Sequence, residues 1–128
     1  MRRVFRTRTF TRWMRKLSLS DTLLYFAVTE MEAGLIDANL GGGIVKKRIR
    51  LAGISKRGGA RTIVATNFGN RWFFLYGFGK NERSNISKRE LRLFQEVAKD
   101  LIELDDRQIA IALSAGEIEE VSNENDDQ

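Results

Sequence analysis

Residues 71–78, RWFFLYGF, constrain the fold more than any other stretch of this chain. Built as a strand, they put apolar side chains on both faces, so both faces need cover and the strand belongs inside a sheet. The preceding RTIVATN reads as its hairpin partner, joined through a tight turn at Phe68, Gly69 and Asn70. Upstream, residues 44–50 alternate with period two. Val45, Lys47 and Ile49 share one face; Lys46, Arg48 and Arg50 share the other. The turn-rich ANLGGG precedes this strand, and LAGISKRGGA, a glycine-rich basic loop, follows it.

Helical periods flank this meander. RRVFRT is a strand candidate, after which Phe10, Trp13, Met14 and Leu17 fall at i, i+3, i+4 and i+7. Arg12, Arg15 and Lys16 take the wet side of that helix. Ser20 and Asp21 cap a second helix carrying Leu24, Ala27, Val28 and Met31, which stops at Gly34. Ser87 and Glu90 form a capping box for a third, with Leu91, Phe94, Ala98 and Leu101 on one face. Asp105 and Gln108 repeat the box for a short fourth helix ending near Gly116, and EIEEV is an edge-strand candidate. The expected fold is α+β: an antiparallel sheet in the order β-α-α-β-β-β-α, two N-terminal helices packed on it, and a C-terminal helical extension. One domain is expected over residues 1–121, with a polar, acidic, disordered tail over 122–128.

Charge directs attention to function. Seven basic residues and no acid occupy positions 1–16, nine basic residues and no acid occupy 38–81, and ten acids face one Arg from 100 onward. Such a distribution suggests a phosphate-rich partner. Three cationic clusters sit on consecutive elements: Lys46, Arg48 and Arg50; Lys56, Arg57 and Arg61; Lys80 and Arg83. Neighbouring strands bring them toward one face. With neither His nor Cys in the chain, the usual general base, metal ligand and thiolate nucleophile are missing. No acidic cluster has metal-ligand spacing, so no metal or cofactor is expected. The absence of Cys fits a reducing compartment, and the Arg-rich start lacks the apolar run of a secretory signal, so a cytoplasmic protein is expected. No apolar stretch reaches the roughly 18 residues of a membrane span. Chemistry that suits Lys and Arg is RNA cleavage by the RNA's own 2′-hydroxyl. The nucleophile is then in the substrate, and the protein positions it, takes a proton and neutralises charge growing on phosphorus.

The stretches GIVKKRIRLAGISKRGGARTIVA and FLYGFGKNERSNIS, with this element order, resemble the RelE/ParE superfamily of bacterial type II toxins, most closely the RelE/HigB-like branch. The resemblance covers about residues 1–104. It implies a RelE-like fold and a cytoplasmic toxin that enters the ribosomal A site and cleaves messenger RNA there, held silent by a helix-turn-helix antitoxin. By position it carries the family's catalytic basic residues onto Lys46, Arg48, Arg61, Lys80 and Arg83. Lys47, Arg50, Lys56, Arg57 and Asn81 are assigned to binding RNA. Asn81 stands where RelE itself has a second basic residue, and Ser87 where RelE has a base-stacking tyrosine. Two other readings stay open: a ParE-like, non-catalytic inhibitor of DNA gyrase, and a non-catalytic RNA-binding module.

Overall fold

The computed structural model describes residues 2–17, 19–50 and 59–122. In chain order its elements are β1 (Arg3–Thr7), α1 (Arg8–Lys16), α2 (Asp21–Glu32), β2 (Ala38–Gly41), β3 (Ile44–Ile49), β4 (Ala60–Thr66), β5 (Arg71–Gly79), α3 (Lys88–Ile102), α4 (Asp106–Ser114) and β6 (Ile118–Glu120). The doubly apolar β5 lies inside the sheet, between β4 and β1, in the order β2-β3-β4-β5-β1-β6. Both its faces are covered. Trp72 and Phe74 join a core with Phe10, Met14, Leu24, Val28 and Met31, beneath α1 and α2. Phe73, Leu75 and Phe78 join a second core with Ala98, Ile109 and Ala112, beneath α3 and α4. Burying each large side chain contributes about 2 kcal/mol, so two covered faces stabilise a chain of this length well beyond what one would.

Two expectations about the sheet are corrected. It is mixed rather than antiparallel, because β1 runs parallel to β5. β3, β4 and β5 pair antiparallel through short connections, whereas β1 reaches the sheet through two helices and no hairpin forces its direction. The segment read as a turn, ANLGGG, supplies β2, which pairs with the first half of β3. The candidate edge strand at EIEEV is present as β6, antiparallel to β1. Two of its acids are paired: Glu119 and Glu120 meet Arg6 and Arg3 at 2.8 and 2.9 Å.

The helix starts follow the sequence closely. Ser20 accepts from the Leu23 N–H, and both capping boxes, at Ser87/Glu90 and at Asp105/Gln108, are formed. These satisfy backbone donors that the helix leaves free. The 122–128 tail falls outside the described residues beyond Ser122, as do Lys56 and Arg57 of the basic loop.

A break in the β4–β5 register shapes one face. Ile63 pairs with Tyr76 but Val64 pairs with Phe74, so Leu75 is an extra residue in β5. This bulge puts Leu75 and Tyr76 on the same side, toward α3, where simple alternation would send Tyr76 toward α1. Gly77 then faces α1. A Cβ there would stand 2.3 Å from the Trp13 ring, so glycine is what lets α1 lie so close.

Candidate nucleic-acid interface

Period-two alternation and the β3–β4–β5 register together build the basic face. Arg48 is the direct partner of Arg61, and Arg61 of Phe78. The next row places Lys46 beside Ile63 and Ile63 beside Tyr76. Adjacent strands lie roughly 5 Å apart, so Arg48 and Arg61 leave neighbouring backbones toward the same side. Gly59 makes room for this: a Cβ there would meet the Arg48 stem at 3.3 Å. Lys80 follows directly on β5, its N–H 3.4 Å from the Gly59 carbonyl, and is exposed, as are Arg48, Arg50 and Asn81. Lys46 is half-buried.

Compensation separates these cations. Among the described residues, Lys46, Arg48, Arg50 and Lys80 have no carboxylate partner within ion-pair distance. Arg61 has only Asp37, with Nε 3.9 Å from its Oδ2, beyond hydrogen-bond distance. Its side chain is 15% exposed, and its buried Nη1 has no hydrogen-bond partner among the described residues. A buried guanidinium N–H left unpaired costs free energy, which an anion drawn to that position would return. The row thus sets two guanidinium groups side by side with little carboxylate compensation among the described residues.

Lys47, assigned to RNA from the sequence, lies apart from this row. It points to the opposite face, where Nζ donates to the Leu35 carbonyl at 2.9 Å and pairs with Glu30 of α2 at 3.2 Å. Alternation alone sends it there. Arg83, assigned to catalysis by motif position, is engaged within the chain. Its Nη1 and Nη2 donate to Glu90 at 3.0 and 2.6 Å, its Nε to the Asn85 carbonyl at 2.9 Å, and Nη1 also to the Tyr76 hydroxyl at 3.3 Å. The guanidinium lies 5.7 Å from the centre of the Phe78 ring. The Arg83 hydrogen bonds, then the Ser87 N–H, hold the Glu90 carboxyl down at about 2. Glu90 in turn raises Arg83 above its ordinary value, with Tyr76 adding to the effect. Glu90 and Tyr76 were missed as neighbours of the site. The capping box did announce Glu90, but as a helix start, and nothing local signals the bulge that turns Tyr76.

The site therefore gathers a strand-borne basic row, a lysine following β5, and a tyrosine beside a neutralised arginine. Residues 2–121 match the family described as RelE toxin of RelE / RelB toxin-antitoxin system. This chain belongs to the RelE toxin family. A search among curated proteins found no match. Membership accounts for the α+β architecture, with four helices and six strands among the described residues, and makes the chain the toxin side of a toxin–antitoxin pair. RelE-family toxins are generally endoribonucleases. Among the described residues no helix of this RelE-family chain is long and apolar enough to cross a membrane.

Proposed function

We propose that this RelE-family chain is a cytoplasmic messenger RNA endoribonuclease that acts in the ribosomal A site and is silenced by a helix-turn-helix antitoxin. The observation that carries the reading is the Arg48–Arg61 row: two arginines on adjacent strands, one with a buried N–H that has no partner among the described residues, flanked by Lys46, Arg50 and Lys80, which have no carboxylate there either. Cleavage needs no outside nucleophile. The RNA's 2′-hydroxyl attacks the adjacent phosphorus, and charge builds on the phosphorane oxygens. Arg61 donates to those oxygens from a rigid strand, which is where a preorganised donor is worth most. Arg48 holds the phosphate from the next strand, and Lys46 or Lys80 takes the 2′-proton. The lysine acts as that base in its neutral form. Arg50, Asn81, Lys56 and Arg57 extend the contact along the RNA backbone, the last two from the segment outside the described residues.

The test is induced expression followed by mapping of messenger RNA ends. In-frame cleavage within translated regions is the expected result. Intact messenger RNA with a DNA-damage response would instead identify a gyrase inhibitor, and intact RNA with neither would leave an RNA-binding module.

A further inference from the structure

The ribonuclease reading supplies a base and a phosphorane-binding arginine but no donor for the departing 5′-oxygen. The chain has no histidine to serve. Arg83, which motif position made a candidate, directs four of its five N–H groups at acceptors of its own chain. Its charge is balanced by Glu90, which stays ionised through the physiological range. A guanidinium so engaged is a poor proton donor and a poor free phosphate ligand.

Tyr76 is different. The β5 bulge turns it onto the basic face, one row from Arg61 and Phe78 and two strands from Lys46. Its ring is held between Phe94 and Phe78, with centroids at 5.5 and 6.1 Å. Its oxygen accepts from Arg83 at 3.3 Å, and its own hydrogen has no acceptor among the described residues. A half-buried phenol that already accepts from a fixed cation directs its hydrogen away from that cation. The Arg83 guanidinium thus orients the hydroxyl and stands within hydrogen-bond distance of its oxygen.

We propose that Tyr76 is a catalytic residue of this chain, the proton donor to the 5′-oxygen that leaves when the RNA is cut. The inference rests on the ribonuclease reading. As the 2′-oxygen bonds to phosphorus and a lysine amine takes its proton, the bond from phosphorus to the 5′-oxygen breaks. The Tyr76 hydroxyl transfers its proton to that oxygen. The products are a 2′,3′-cyclic phosphate and a 5′-hydroxyl; the phenolate regains a proton from water and the lysine returns its proton to water. Arg83, fixed by Glu90 and Asn85, is the positioning residue that orients the phenol and stabilises the phenolate.

The experiment compares wild type, Tyr76→Phe and Arg61→Ala on ribosome-bound messenger RNA. The RNA carries, at the mapped cleavage site, either the ordinary linkage or one whose 5′-bridging oxygen is replaced by sulfur. A thiolate leaves without being protonated. Tyr76→Phe keeps the ring and should slow the ordinary linkage about a hundredfold at saturation, with half-saturation unchanged. On the sulfur linkage it should cut at close to the wild-type rate, whereas Arg61→Ala should be defective on both. A full rate for Tyr76→Phe on the ordinary linkage, or an equal loss on both linkages, would overturn the assignment while leaving the ribonuclease reading intact. If wild type cuts neither RNA, the ribonuclease reading itself falls and this assignment with it.

Discussion

Two surfaces of this molecule are rich in arginine, and they are used in opposite ways. Along β1 and its flanks every arginine has a carboxylate or carbonyl partner, although Arg6 Nε, like Arg61 Nη1, is buried with no hydrogen-bond partner among the described residues. Arg2 pairs with Glu32 at 3.1 Å and Arg3 with Glu120 at 2.9 Å, while Arg6 bridges Asp21 at 3.3 Å and Glu119 at 2.8 Å. Arg8 donates to the carbonyls of Gly116 and Ala115 just beyond α4. Among the described residues the cations of β3 and β4 on the α3 side meet only Asp37, 3.9 Å from Arg61 Nε, and Arg61 keeps a buried N–H without a partner. The first set ties β6 and α2 to β1; the second is the one proposed to meet phosphate. Counting basic residues along the chain treats the two alike. What separates them is where the acids return in space, and only the uncompensated set can neutralise phosphate without first breaking a protein contact.

The largest expected effect falls on the open surface. Arg61→Ala and Lys80→Ala should each abolish growth inhibition. A lost transition-state contact of this kind costs about 3 kcal/mol, roughly a hundredfold in rate. Both variants should keep their circular dichroism spectra and still bind antitoxin in a pull-down. Full toxicity in both would reduce the basic face to a docking surface.

The compensated surface should respond in stability instead. Arg6 is 13% exposed and holds two carboxylates, so Arg6→Ala leaves both without their cation. A loss of about 2 kcal/mol in urea denaturation is expected, with cleavage by the folded fraction unchanged. An unchanged urea midpoint would mean that this seam is ornamental and the contrast between the surfaces false.

A finer test uses Glu90, where a cation of the basic face is compensated after all. Its folded-state carboxyl sits at about 2, below its ordinary value. Between that value and the unfolded value of about 4.3, the unfolded chain binds the proton and the native chain does not. Stability from the Arg83 pair is therefore fully present above the unfolded value and lost as pH falls toward 2. Wild type should show a declining urea midpoint across that window. Glu90→Gln, which keeps the cap, should show a shallower decline there. Parallel curves would mean that the Arg83 pair contributes nothing measurable.

The smallest effect is expected at Arg12, exposed on α1 and in neither surface's machinery. Arg12→Ala should stay toxic in a growth assay, with stability within about 0.5 kcal/mol of wild type. A loss of toxicity would extend the functional surface onto α1.

Much of the fold was legible because its causes are local. A cap needs a side-chain oxygen and an N–H a few residues away, so Ser20, Ser87 and Asp105 could be read directly. A strand's two faces follow from parity, so Lys46, Arg48 and Arg50 separate from Lys47 without any coordinates. The double apolarity of β5 required cover on both sides, and both sides are covered. The sequence by itself thus determined the elements, the interior strand and the side each β3 cation takes, since each depends on residues a few positions apart.

Tertiary structure alone decided the rest. β1 lies parallel to β5, and acids near the chain's end neutralise arginines at its start, over separations of more than a hundred residues. No local period encodes such a return. The bulge at Leu75 shifts parity by one residue and so transfers Tyr76 from the α1 side to the basic face. Arg83 looked free by its position after a strand and is engaged because α3 brings Glu90 to it. Local chemistry sets which groups a segment offers; only the packed chain sets which of those groups meet a partner, because pairing is a property of distance in space.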